Sequence, residues 1–536
     1  MFCFLAVLPI LTAVIMMTVF RISPGKSLAA AWCFTVLNGM IFWKVNCAVI
    51  GAATLNGIFK ALDIVLIIFG AVLLLNVQKA TGMLRSISNS FHHISDDRRI
   101  QVLIIGWLFS GLMEGAAGFG AAPAVVAPLL VSLGFPAFTA VAVALICNTL
   151  PVAFGGVGTP FFTALNTTSQ NLLDMGLEPE KFNIVMMKTF TIVSGLSGAL
   201  IPFCAIVIMI LLSKEKRKLR SMLEILPLTL LTAAVYILPW QFTANHLGPE
   251  LPSIMGAAVG LPLLLFCVKF RFLVPKYVWR FPDEPEINSV ADTPGEVPVW
   301  KAWMPYILLT VLLLLTRVQL LPLRKFFRSY GILNLPDFFD VSGTGLRWML
   351  LNNPGLFPFL LLALGTALWM RLSWKEQGKI VIDTAKQLQM AALAIIVSTA
   401  MVQIMVFSNE NAANIPGMLS IMAQTAADGM GKAFIAVSPF LGVLGTFFAG
   451  SCTVSNILFA SLQLNTAHLL EYPPKTFFAL QVTGGGLGSM IRISGIIAAC
   501  AAVGLQKKEG KLLLLNLIPT IIFALLALLV VWILYL

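Results

Sequence analysis

Long apolar runs joined by short polar segments constrain this chain more than any other feature. They fall at roughly 2–20, 28–50, 61–78, 182–212, 224–240, 252–268, 302–316, 353–370, 388–407 and 512–535. A helix needs about 20 such residues to cross the hydrocarbon core, and only helices and closed barrels satisfy every backbone polar group there. Two further stretches, about 100–157 and 433–505, are equally apolar but are interrupted by Gly, Pro, Asn, Thr and Ser. With 59% hydrophobic and 11% charged residues over 536 positions, the chain reads as an all-α polytopic membrane protein of about 12 to 16 membrane segments. A cytosolic enzyme and a single-span receptor are excluded.

The formal net charge of +12 would suggest a nucleic-acid partner in a soluble protein. Here the basic residues lie between apolar runs, so they are a topology signal and no nucleic acid is expected. The basic loops are Arg21/Lys26, Lys79 to Arg99, Lys214 to Arg220, Lys269 to Arg280, Arg371 to Lys379, and Lys507, Lys508 and Lys511. All can be cytoplasmic at once if each interrupted stretch crosses three times, or once with a re-entrant hairpin. Loops 158–180, 241–251 and 408–431, rich in acids and poor in Lys and Arg, then lie outside. Loop 317–352 disagrees, because it falls outside yet holds Arg317, Arg324, Lys325, Arg328 and Arg347. Met1–Phe20 lacks a basic n-region and a small-residue cleavage site, so it is expected to be a first span. The eight cysteines and four histidines, including His92 and His93, show no metal-ligand spacing. No metal or other cofactor is expected.

The layout implies an internal repeat. Three spans, an interrupted stretch and a closing span (1–213) precede a linking region (214–301), and the same order recurs at 302–536. By the charge argument the halves are inverted. An ungapped superposition that sets Cys452 opposite Glu114 also sets Pro474 opposite Pro136. Inverted repeats with broken helices or re-entrant hairpins are what secondary transporters use to alternate access about a midplane site.

The interrupted stretches hold the candidate chemistry. The first has glycines at Gly111, Gly115, Gly118 and Gly120 around Glu114, and then Asn148-Thr149 before Pro151. Irregular backbone at membrane depth is tolerated only where it is buried in protein or lines a cavity. An acid there faces a cavity or a partner and marks an ion or proton route, so Glu114 is the candidate proton carrier. The second stretch reads Gly450-Ser451-Cys452-Thr453-Val454-Ser455-Asn456, and later Thr483-Gly484-Gly485 leading to Arg492. Hydroxyls and an amide ahead of an apolar run suit a helix cap or an anion cradle. The Arg492 guanidinium carries a permanent charge and a fork that fits a carboxylate. Asp63 is expected at the membrane interface, at the start of the third span. Gly25-Lys26-Ser27 resembles a phosphate loop but lacks its leading glycine.

At these stretches the chain resembles the L-lactate/glycolate permease family. The resemblance covers most of the chain. It is strongest at 114–121 (EGAAGFGA), 148–155 (NTLPVAFG), 438–442 (SPFLG), 455–460 (SNILFA) and 498–504 (AACAAVG). It implies a bacterial cytoplasmic (inner) membrane permease that imports a 2-hydroxymonocarboxylate with a proton. Two departures stand out: Cys452 occupies the place of a family acid, while Ser489 replaces a family Lys and Arg492 appears three residues later.

The function expected is therefore secondary transport of L-lactate, D-lactate or glycolate by proton symport. The anion is expected at Gly115, Gly118, Gly120, Asn148, Thr149, Ser451, Cys452, Thr453, Ser455, Asn456, Thr483, Gly484, Gly485 and Arg492, with Glu114 coupling the proton. Two rivals are a transporter of another organic anion, such as a dicarboxylate or sulfonate, and a non-transporting membrane sensor derived from the family. The partners expected are the small anion and the lipid bilayer. The sequence leaves the oligomeric state open, a homodimer included.

Overall fold

The computed structural model describes all residues except 21, 92–93, 119, 214–217, 283–296, 318–325, 328, 354 and 506. His92, His93, the core of the basic loop at Lys214–Arg217, and Arg324, Lys325 and Arg328 of the discordant loop lie outside the described residues. Among those described, ten helical segments are long and apolar enough to cross a membrane, or eleven when Ala137–Cys147 and Leu150–Asp174, bent by 50° at their junction, count as one. Phe2–Met17, Ala121–Ser132 and Leu356–Trp369 are shorter apolar helices. The result is an all-α polytopic fold, with one two-stranded β-hairpin in the loop between 317 and 352.

The helices follow one order twice. The first passage is α1 (Phe2–Thr18), α2 (Pro24–Ile41), α3 (Cys47–Ala80), α4 (Met83–Ser90), α5 (Arg98–Gln101), α6 (Ser110–Ala117), α7 (Ala121–Ser132), α8 (Ala137–Cys147), α9 (Gly155–Asp174) and α10 (Pro179–Gly198). A π-helical stretch, Val102–Phe109, makes α5 and α6 one continuous rod. Then come α11 (Ile201–Leu212), α12 (Lys218–Leu247) and α13 (Pro252–Lys269). The second passage is α14 (Val299–Arg317), α15 (Leu361–Trp369), α16 (Trp374–Phe407), α17 (Met418–Met430), α18 (Phe434–Ala449), α19 (Cys452–Leu469), α20 (Pro474–Leu487), α21 (Ile493–Ala502) and α22 (Glu509–Tyr535).

Packing between the passages is reciprocal. The long helices α3 and α16, 34 residues each, cross one another. Helix α2 packs on α16 as α15 packs on α3, α9 packs on α19 as α21 packs on α7, and α10 packs on α20 as α22 packs on α8. The breaks in α6–α7 and α18–α19 correspond, which sets Cys452 opposite Ala121 and Glu114 opposite the Gly445–Thr446 turn. The ungapped superposition of Cys452 on Glu114 therefore fails. Because α19 has 18 residues where α7 has 12, the helices that follow begin at Ala137 and Pro474, which brings Pro136 and Pro474 within one residue of correspondence.

The expectation for Asp63 also changes. The chain is helical from Cys47, so Asp63 lies in the middle of α3 rather than at its start. The hairpin Ile332–Leu335/Leu346–Met349 folds back over it: Trp348 Nε1 donates to its carboxylate at 2.9 Å and Asn353 Nδ2 at 2.6 Å. One and two turns before Asp63, Phe59 stacks on Phe338, and Asn56 Nδ2 donates to the Thr344 carbonyl. The discordant loop is thus a folded element packed on α3.

Three basic loops meet at one end of the molecule. Arg99, fully buried, donates to Asp97, to the Ser221 carbonyl and to the Tyr277 carbonyl, while Arg280 pairs with Asp96 at 2.7 Å. This joins the loops at 79–99 and 269–280 to the start of α12. At the crossing of α3 and α16, a Cβ added to Gly57 would lie 2.5 Å from Ala400 Cα. Gly378, also helical, faces open space. Gly57→Ala is expected to lower the melting temperature of the detergent-solubilised protein, because backbone cannot yield to an added methyl. Gly378→Ala is expected to raise stability by about 0.5–1 kcal/mol. Circular-dichroism melts of the two variants check both signs.

Candidate functional site

Each passage contains two interruptions, and their local causes are legible in the residues. After α6 the backbone turns at Gly118 (φ 64°) and Gly120 (φ 74°), conformations that cost a glycine little. After α8, Asn148 and Thr149 lead into a 3-10 turn, Leu150–Phe154, fixed at its start by Pro151. Gly156, Val157 and Gly158 then take left-handed angles, of which Val157 at φ 56° is the strained one. Helix α18 ends at Gly450 (φ 71°), and Ser451 in extended conformation opens α19. Helix α20 runs into a 3-10 turn, Gly488–Met490, and Arg492 caps α21.

The four interruptions meet. A Cβ on Gly118 would lie 2.6 Å from Gly156 N, joining the first to the second. One on Gly120 would lie 1.7 Å from Arg492 Nη2, joining the first to the fourth, and one on Gly450 would lie 2.8 Å from Ser494 Oγ, joining the third to the fourth. Both charged candidates sit at this junction, Glu114 at 1% exposure and Arg492 at 4%.

The Glu114 carboxylate accepts a hydrogen bond from Asn148 Nδ2 at 3.1 Å, and Asn148 Oδ1 in turn accepts one from Ser110 Oγ at 3.2 Å. Gly155 lies flat against Glu114 Oε1, where a Cβ would approach to 2.8 Å. Arg492 spans the other side of the junction. Its Nη1 donates weakly to the Gly450 carbonyl at 3.5 Å, its Nη2 lies over Gly120, and its Nε has no partner. Glu114 and Arg492 feel each other's charge without forming an ion pair among the described residues. Cys452 Sγ packs on Gly485, 3.9 Å from Asn456 Nδ2, and Thr446 Oγ1 donates to the Gly485 carbonyl at 2.8 Å.

The structure thus gathers Glu114, Gly118, Gly120, Asn148, Cys452, Asn456, Gly485 and Arg492 around one junction, with Ser451 and Thr453 at the head of α19. It places the other expected site residues elsewhere. Gly115 packs on Ser253 and Ile254 of α13, and Gly484 packs on the Pro439 carbonyl, where a Cβ would lie 2.0 Å away. Ser455 Oγ donates to the Gly442 carbonyl. Thr483 Oγ1 bonds Ser194 Oγ at 2.6 Å, and with Thr149 it lines a cavity of about 20 Å³, room for one water.

Several polar residues escaped the sequence. Asn456 Oδ1 and Ser455 accept from Gln481 Nε2, and Gln481 Oε1 accepts from Gln463 Nε2, which also bonds Ser438. Neutral amides in apolar runs give only a faint signal. Lys60 gave a stronger one. It lies in the middle of α3 and its ammonium donates to Gln403 Oε1 of α16 at 3.4 Å. From the junction, α9 and α19 run side by side, tied by Asn456 to the Pro160 carbonyl, Ser461 to the Thr167 carbonyl and Asn171 to Asn465. They end at a cavity of about 390 Å³ whose lining includes Asp174, Asn409, Gln424 and His468.

The family model for L-lactate permease matches residues 3–536. The chain belongs to that family. The L-lactate permease of Escherichia coli strain K12 is 30% identical over 92% of this chain and 89% of its own length. Glycolate permease GlcA of the same strain is 30% identical over 97% and 93%. Among solved structures, the Alcanivorax borkumensis YdaH transporter aligns with a TM-score of 0.44 at 14% identity, over 90% of this chain and 87% of that one. The family member described here is a transporter rather than an enzyme, a multi-pass protein of the bacterial inner membrane.

The site is closed to solvent, and its cysteine reports this. Cys147, Cys452 and Cys500 are buried, whereas Cys33 and Cys47 are exposed. Treatment of the folded protein with N-ethylmaleimide is expected to modify Cys47, at the head of α3, and to spare Cys33, in the middle of the apolar helix α2, and Cys452 until denaturant is added. Peptide mass spectrometry before and after unfolding reads the difference.

Proposed function

We propose that this chain imports a 2-hydroxymonocarboxylate, L-lactate, D-lactate or glycolate, together with a proton. The observation that carries the reading is the meeting of Glu114 and Arg492, each from a different passage and each buried, at the junction of four broken helices. The printed names of the lactate and glycolate permease relatives support the substrate class.

Arg492 is the anion's partner in this mechanism. Its Nε is unpartnered and its Nη1 is held only loosely by Gly450, so a carboxylate gains charge-assisted bonds without displacing strong ones. The Gly118–Gly120 and Gly450–Ser451 turns bring backbone close to the same place. Cys452, Asn456 and Gly485 form the wall beside it.

Coupling follows from charge balance at membrane depth. With Glu114 ionised and Arg492 charged, the site is neutral. An anion alone would leave one uncompensated negative charge, which is costly in a low-dielectric interior. An anion with a proton on Glu114 restores neutrality, so the two enter and leave together. Asn148 bonds the carboxyl through Nδ2 and orients it for this exchange.

The reciprocal packing of the two passages supports a division into halves 1–213 and 302–536 around linking helices 214–301, inverted with respect to each other. Alternate exposure of the junction to the two faces then needs only a relative movement of similar units.

In proteoliposomes, acid outside is expected to drive uptake of radiolabelled L-lactate. Glu114→Gln is expected to abolish the response to the pH gradient while leaving substrate exchange measurable. Arg492→Gln is expected to weaken binding by roughly 10- to 150-fold, the worth of a lost charge-assisted contact. Unchanged pH-driven uptake in Glu114→Gln would overturn the coupling role.

A further inference from the structure

Buried polar atoms without partners are rare in native structures, and each one asks for an explanation. Three of them fall in the second-passage breaks: Thr453 Oγ1, Ser489 Oγ and Arg492 Nε. Their residues are 1%, 2% and 4% exposed. Neighbouring hydroxyls are satisfied. Thr446 donates to Gly485, Ser455 to Gly442, Ser461 to Thr167 and Thr466 to Leu462. The open hydroxyls are therefore a local exception, and they accompany the open edge of the guanidinium.

Their residues belong to two breaks that touch each other. Thr453 follows Cys452, whose sulfur packs on Gly485. Ser489 lies one helical turn beyond Gly485, and Arg492 follows three residues later, reaching back to Gly450 at the head of the same helix as Thr453. Two neutral hydroxyls and one guanidinium edge, all without partners, thus belong to the two breaks that Cys452 and Arg492 bring into contact. A second carboxylate would want a second cation, whereas a hydroxyl can both donate and accept, as Ser and Thr hydroxyls can.

We infer that Thr453 and Ser489 recognise the 2-hydroxyl of the substrate while Arg492 holds its carboxylate, making these two residues the determinants of hydroxy acid over plain acid. The inference rests on the carboxylate site proposed above. A buried site built to bond a hydroxyl rejects the analogue without one, because its own polar groups are then left unpaired.

L-lactate and propionate differ only in that hydroxyl, and isothermal titration of the purified full-length protein measures both. The wild type is expected to bind lactate roughly tenfold or more tighter than propionate. Thr453→Val and Ser489→Ala are each expected to shrink that ratio by weakening lactate alone, with propionate affinity unchanged. Ser489→Thr, which keeps a hydroxyl, is expected to retain most of the preference and guards against a merely structural effect. Equal affinity in the wild type, or an unchanged ratio in both variants with wild-type melting, overturns the assignment of the hydroxyls and leaves the carboxylate site standing. Binding of neither acid overturns the carboxylate site, and this inference with it.

Discussion

A helix broken inside a membrane frees backbone N–H and C=O groups where no water can satisfy them, and this constraint organises the molecule. Four such breaks are affordable because they are pressed together and shielded by the surrounding helices. The close approaches of Gly118 to Gly156 and of Gly120 to Arg492 follow from that requirement: a Cβ on Gly118 would meet backbone, and one on Gly120 would displace the guanidinium. The same closeness puts an acid from the first passage beside a guanidinium from the second without letting them clasp. Glu114 is held by Asn148 and Arg492 by little more than one long bond to Gly450. An unclosed pair of opposite charges is a site for a third.

Much of the fold was legible because the bilayer leaves so few choices. Apolar runs announced the helices, and interrupted runs announced the breaks. The glycines and Asn148 fell where breaks were expected, and Glu114 and Arg492 stood out because a charge at membrane depth is costly. What escaped depended on partners distant in sequence. Thr483 reads like an anion contact, yet its hydroxyl is taken by Ser194 of α10. Gly484 belongs to a glycine-rich turn in the sequence but serves the crossing of α20 over α18.

Lys60 and Asp63 show the same limit differently. Both are charges between two apolar runs of the sequence, where Asp63 reads as the start of a span. The structure carries one helix through both. A lysine bonded to Gln403 and an aspartate bonded to Trp348 and Asn353 are tolerable there because the partners come from α16 and from a distant hairpin. No local pattern encodes those partners.

That hairpin links the two passages mechanically, through contacts and not through the chain. The chain enters it after α14 and leaves it towards α15, both of the second passage, yet its bonds are to α3 of the first. It acts as a strap with its buckle at Asp63. Any displacement that parts α3 from α14 and α15 must either carry the hairpin along or undo hydrogen bonds to a carboxylate. The body that moves with α3 is therefore larger than the first passage alone, and the moving boundary runs through the joints on either side of residues 332–349.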